Sequence, residues 1–153
     1  MLRCARNDTE LDFNIYSIMT GHIKINNAVF YAYHGATADE QAVGAQFEID
    51  LDMQVDIAYA SQTDMLSETL NYETVYAEVQ KIVTGQKYYL IETLAAHIVG
   101  ELFRKFSSIL HLTARVRKPN APVKGVIKSV EVELSLSKDE YGRGLLAAGK
   151  SVN

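Results

Sequence analysis

From Phe47 to Ile57 the chain alternates without a break: Phe47, Ile49, Leu51, Met53, Val55 and Ile57 are apolar, and Glu48, Asp50, Asp52, Gln54 and Asp56 separate them. A period of two puts the apolar side chains on one face and the mostly acidic ones on the other, which predicts a half-buried β-strand. The same period marks Ile23 to Tyr33, where Asn26-Asn27 interrupts the pattern and predicts a bulge. It returns from Leu110 to Lys118 and from Val126 to Ser137, where Val130, Val132, Leu134 and Leu136 oppose Glu131 and Glu133. Between the second and third of these strands the period changes to helical. Val75, Tyr76, Val79, Ile82 and Val83 form one stripe over Tyr72 to Val83. Ile91, Leu94, Ala95, Ile98, Leu102, Phe103 and Phe106 form another, from Leu90 to Phe106. Asn71 is the expected N-cap of the first helix and Gly85 its terminator. Ala36 to Gly44 and Ser61 to Thr69 show neither period and are expected to be polar, irregular connections.

The resulting order, ββααββ, predicts an α+β fold: an antiparallel four-stranded sheet with two helices on one face. The other face is charged. Glu48, Asp50 and Asp52 on the second strand can pair with Arg115 and Arg117 on the third if those strands adjoin. Exposed pairs contribute only about 0.2–1 kcal/mol each, enough to favour a register and too little to hold a fold. An open sheet leaves two edges able to pair with another chain, so edge-to-edge assembly into a closed ring is expected.

Composition narrows the classes. A chain of 153 residues suits one domain, placed here at 19–137, after a 1–18 extension expected to be disordered and before an exposed, mobile tail at 138–153. The net charge of −4 with no basic cluster lacks the footprint of a nucleic-acid binder. No apolar run is long enough for a membrane helix, and 1–18 has no apolar centre of a secretory signal. The single cysteine, Cys4, excludes an intramolecular disulfide and fits the reducing cytoplasm. His22, His34, His97 and His111 are scattered without metal-ligand spacing, and no glycine-rich phosphate loop or serine elbow occurs.

Two charged residues stand in unusual places. Alternation puts Lys118 on the apolar face with Leu112, Ala114 and Val116, and Pro119 should end the strand there. Spacing alone fits a strand-end lysine that snorkels to water. Glu92 falls in the first turn of the second helix, where free N–H groups and the macrodipole favour a carboxylate. That placement fits a residue that merely improves the helix. With Leu90 and Ile91 beside it, it also fits a pocket carboxylate that takes two parallel hydrogen bonds from an amidine-like edge. Taken alone, Tyr72 reads as packing and Glu40 as a solvated charge.

Together, Phe30-Tyr31-Ala32-Tyr33-His34-Gly35 with Glu40, Leu70-Asn71-Tyr72 with Val75, Leu90-Ile91-Glu92-Thr93-Leu94-Ala95, and Val116-Arg117-Lys118-Pro119 through Pro122 and Gly125 resemble the dihydroneopterin aldolase family. The resemblance covers roughly Gly21 to Leu136. It implies a tunnelling fold (T-fold), in which four subunits join their sheets into a barrel and two rings often stack, giving a homo-tetramer or homo-octamer. It implies active sites between adjacent subunits, a pterin substrate, and retro-aldol cleavage without a metal, a Schiff base or another cofactor. By position, Glu92 and the backbone at Ile91 would bind the pterin. Leu70, Asn71 and Tyr72 would come from the neighbouring subunit, Tyr72 also handling protons. Glu40 would approach the substrate side chain, and Lys118 would be the acid/base residue. A dihydroneopterin or dihydroneopterin-triphosphate epimerase on the same fold is the first alternative, and a non-catalytic pterin-binding ring protein the second. Val123-Lys124-Gly125 departs from the family's usual Ile-Pro-Gly and adds a positive charge near the site.

Overall fold

A computed structural model of the chain describes residues 19–144. The expectations for 1–18 and for most of the 138–153 tail lie outside the described residues. Four strands, β1 (Thr20–Ala32), β2 (Ala45–Asp56), β3 (Ile109–Pro119) and β4 (Ser129–Ser137), pair in the order β1-β2-β3-β4, each antiparallel to its neighbour. The expected bulge lies between Ile25 and Ala28, where the register shifts and Asn27 takes φ 53°. The unbroken alternation of β2 sets the layering. Phe47, Ile49, Leu51, Met53 and Val55 are fully buried, and burying each such side chain contributes about 1.5–3 kcal/mol.

Two long helices cover that face. α3 (Tyr72–Gly85) buries Val75, Val79 and Val83, and α4 (Ile91–Lys105) buries Leu94, Ala95, Ile98, Val99, Leu102 and Phe103. Tyr76, included in the expected stripe, is 40% exposed and meets Phe30 with ring centroids 5.4 Å apart. Gly85 is the last residue of α3, and the cap itself is Gln86 in extended conformation. None of the described helices is long and apolar enough to cross a membrane.

The uncovered face carries the charges, and its register partly follows the expected pairing. Arg117 stands opposite Glu48 and is bonded to Glu48, Asp50 and Glu131, with Asn27 as a fourth partner. Arg115 instead reaches across to Glu133 on β4 at 2.6 Å, because Arg117 already occupies Asp50. Asp52 pairs outward with Lys24 at 2.8 Å and His22 at 2.5 Å on β1.

Short elements differ from expectation. The 36–44 connection contains a helix, α1 (Ala38–Val43), closed by a capping box between Thr37 and Glu40. A further short helix, α2 (Ala58–Thr63), and a single 3₁₀ turn (Leu66–Glu68) follow β2. β4 begins at Ser129, and Val126 is fully exposed. The start of the tail is also folded: α5 (Lys138–Gly142) has its own Ser137–Glu140 capping box, and Tyr141 stacks on Phe103 at 5.0 Å.

Candidate active site

β3 delivers Lys118 as its alternation requires. Leu112, Ala114 and Val116 are fully buried on the core face, and Lys118, next in that row, is 7% exposed. It does not snorkel. Its Nζ lies 2.5 Å from Glu40 Oε1 and 5.5 Å from the centre of the Phe47 ring. An ammonium withdrawn from water needs a charged partner of this kind. Beyond it the chain turns through Asn120, whose φ of 54° follows the proline that ends the strand.

Glu40 reaches the lysine because α1 holds it there. Its Oε2 accepts from the Thr37 N–H at 3.1 Å and from the Thr37 hydroxyl at 3.0 Å, leaving Oε1 for Lys118. The Lys118 hydrogen bond is the main reason its carboxyl pKa is lowered to about 2, with the Thr37 bonds adding to the effect and burial opposing it. The contribution of this pair to stability is therefore complete above the ordinary value of 4.5 and is lost as the pH falls toward about 2.

Gly35 makes room for this carboxylate. A Cβ at Gly35 would lie 2.4 Å from the Glu40 Cβ and 2.8 Å from its carboxyl carbon, and φ is +159°. Gly35→Ala is therefore expected to push Glu40 off Lys118 and to cost about 1–3 kcal/mol of stability. Thermal unfolding of the variant beside the parent checks this.

His34 backs the pair. Its ring is 1% exposed and meets the Phe47 ring edge-on at 4.9 Å, so His34 and Lys118 both pack against Phe47. Nδ1 accepts from the Tyr88 N–H at 3.1 Å, while the Gly35 N–H donates to the Tyr88 carbonyl at 3.0 Å. The expected first strand stops at Tyr33, which leaves His34 outside its pattern and among the scattered histidines. The signal was present, because Phe30, Ala32 and His34 continue one buried row, just as Val116 and Lys118 do.

The remaining predicted residues lie at two helix starts. Leu70 is buried, and the Asn71 side chain caps α3 by accepting the Glu73 N–H at 2.9 Å. Tyr72 opens α3 with 58% of its surface exposed. Ile91 opens α4 and packs partly against the core, with the exposed Glu92 next to it. Leu90, the N-cap residue of α4, supplies no side-chain cap, so the first N–H groups of α4 lack one beside a carboxylate. Neither Tyr72 nor Glu92 has a side-chain hydrogen-bond partner among the described residues, whereas Lys118 and Glu40 are joined directly.

The family model FolB, dihydroneopterin aldolase, matches residues 23–135. A dihydroneopterin aldolase of Bacillus subtilis is 37% identical over 116 residues, 76% of this chain and 97% of the relative. Among solved structures, the dihydroneopterin aldolase of E. coli in complex with neopterin superposes with a TM-score of 0.71 at 21% identity, covering 76% of this chain and 99% of that one. The Burkholderia thailendensis enzyme bound to guanine does so with a TM-score of 0.64 at 20% identity, over 77% and 91%.

Proposed function

The chain belongs to the dihydroneopterin aldolase family, and on that footing we propose that Lys118 is the acid/base residue of a retro-aldol cleavage of 7,8-dihydroneopterin. The products are 6-hydroxymethyl-7,8-dihydropterin and glycolaldehyde. The observation that carries the assignment is the buried Lys118–Glu40 pair at the end of β3, inside the matched segment. A lysine held in the interior by one carboxylate, at a strand end, has a fixed position and a proton to exchange.

The chemistry needs little else from the protein. A side-chain hydroxyl of the substrate loses its proton and becomes the carbonyl of glycolaldehyde. The electrons of the breaking carbon–carbon bond pass into the ring C=N bond, giving an enamine. The carbon left on the ring then regains a proton, and the C=N bond returns. Atoms balance without a co-reactant, and the pterin ring is the electron sink. What remains is orientation and proton transfer.

Glu92 and the backbone at Ile91 bind the amino and ring N–H edge of the pterin. The uncapped start of α4 supports this. So do the relatives seen with neopterin and guanine, since both ligands carry a 2-aminopyrimidinone edge. Leu70, Asn71 and Tyr72 come from a neighbouring subunit of a homo-tetramer or homo-octamer, and the exposure of Tyr72 fits a residue completed by another chain. The sheet supports such an assembly. β1 and β4 are unpaired edges, and Val29 and Tyr31 are exposed on the face away from the helices.

Incubating the pure protein with dihydroneopterin is expected to release glycolaldehyde. Epimerised substrate without glycolaldehyde would select the epimerase instead. Light scattering tests the shared site, since a stable monomer would leave Tyr72 with no neighbour to serve.

A further inference from the structure

His34 and Lys118 are the two buried polar side chains among the described residues, and the chemistry above leaves His34 without a task. Because Nδ1 accepts the Tyr88 N–H, the neutral ring carries its proton on Nε2. That Nε2 is buried and meets no hydrogen-bond partner among the described residues. The contact is more than packing, because two bonds fasten His34-Gly35 to Tyr88 from both sides of its backbone. One end of this clamp runs directly into α1 and Glu40. The other runs directly into Ile91 and Glu92 at the start of α4. A third tie reinforces it, since Lys87 donates to the Gln41 carbonyl at 3.0 Å and lies over the Tyr33 ring.

We propose that His34 is a positioning residue: its neutral, Nε2-protonated ring sets the Glu40 side of the site against the Glu92 side, and protonating it releases Tyr88 and weakens pterin binding. This rests on the reading of Glu92 as the pterin anchor. Both nitrogens of an imidazolium are donors, so the Tyr88 N–H would then face another N–H. The groups around the ring discourage that state. Lys118 approaches from β3 with Glu40 beyond it on α1, and β2 presents the Phe47 ring. Tyr88 lies between His34 and the titratable residues of α4, with the His97 ring tilted against it at 5.0 Å and Glu101 near its hydroxyl. Burial lowers the His34 pKa from 6.5; the Val83 carbonyl of α3, which forms no full hydrogen bond with the ring, still pulls it upward, and the Lys118 charge lowers it further. The unfolded chain therefore takes the proton more readily, and native stability declines as the pH falls below 6.5 toward the lowered value.

The test uses the full chain in its native assembly. Histidine-selective ¹⁵N spectra report the His34 tautomer without any pterin, and neopterin titrations follow affinity as the pH is lowered. His34 is expected as the Nε2–H tautomer at neutral pH. As it titrates, the neopterin Kd should rise about tenfold per pH unit. His34→Asn, whose Oδ1 can accept the Tyr88 N–H but cannot titrate, should bind neopterin within a few-fold of the parent at neutral pH and lose that acid limb. An Nδ1–H tautomer or an imidazolium at neutral pH overturns the proposal. So does a neopterin Kd that is indifferent to His34 titration, or an acid limb that survives unchanged in His34→Asn. If His34→Asn does not fold, the tautomer and the parent titration still decide. A parent chain that binds no neopterin at any pH overturns the pterin reading as well, and the tautomer then stands as a structural fact alone.

Discussion

Lys118→Ala is expected to lower the rate of glycolaldehyde release by about 10²–10⁴-fold, the usual contribution of a positioned acid/base group, while leaving neopterin affinity within a few-fold. The split follows from where the side chain sits. Lys118 faces Glu40 and Phe47, whereas the residues assigned to the pterin edge are at the start of α4. Truncation leaves Glu40 Oε1 without its cation, but Thr37 still holds Oε2 through two bonds, so α1 should remain folded. The carboxyl of Glu40, now held near about 2 chiefly by the lysine, should return toward 4.5 in the variant. The stability that the parent loses between those two values should then be largely missing from the variant at every pH. Single-turnover cleavage, neopterin titration and acid unfolding of the two proteins separate these effects. Turnover equal to that of the parent would remove Lys118 from the chemistry.

How far the sequence discloses this site depends on what kind of pattern each residue belongs to. Lys118 was visible because it ends a long alternation whose other members are apolar, and burial of Leu112, Ala114 and Val116 confirms the face. His34 ends a row of the same kind, Phe30 and Ala32, but the bulge at Asn27 breaks the alternation before the row is long enough to read. Glu40 looked solvated because six residues of α1 are too few to show a helical period. Its Thr37-x-x-Glu40 spacing is a capping box all the same, and Ser137-x-x-Glu140 announces α5 in the same way. Short helices declare themselves by their caps when they cannot do so by their period. The Lys118–Glu40 contact joins residues 78 apart in the chain, and no local pattern carries it. Only register does, because β1 and β3 both flank β2 and place their ends against Phe47.

Glu92→Ala is expected to abolish measurable pterin binding while leaving the fold intact, the converse of the lysine variant. The carboxylate is exposed and makes no hydrogen bond or ion pair among the described residues, so its removal breaks no contact. Losing its favourable place in the first turn of α4 should cost only about 0.3–1 kcal/mol of helix stability. Binding is another matter. Two parallel hydrogen bonds to an ionised carboxylate are worth about 1.5–3 kcal/mol each, so losing both weakens affinity by roughly 10²–10⁴-fold. Glu92→Gln discriminates further. Its amide keeps one acceptor oxygen but sets an N–H donor against a donor edge, so it should recover little of the affinity. A simple electrostatic role at the helix start predicts no such loss in either variant. Calorimetry with neopterin, beside thermal unfolding of each protein, measures the two quantities independently. Near-parental affinity in Glu92→Ala would move the pterin anchor away from α4, and with it the reason for an uncapped helix start beside Leu90.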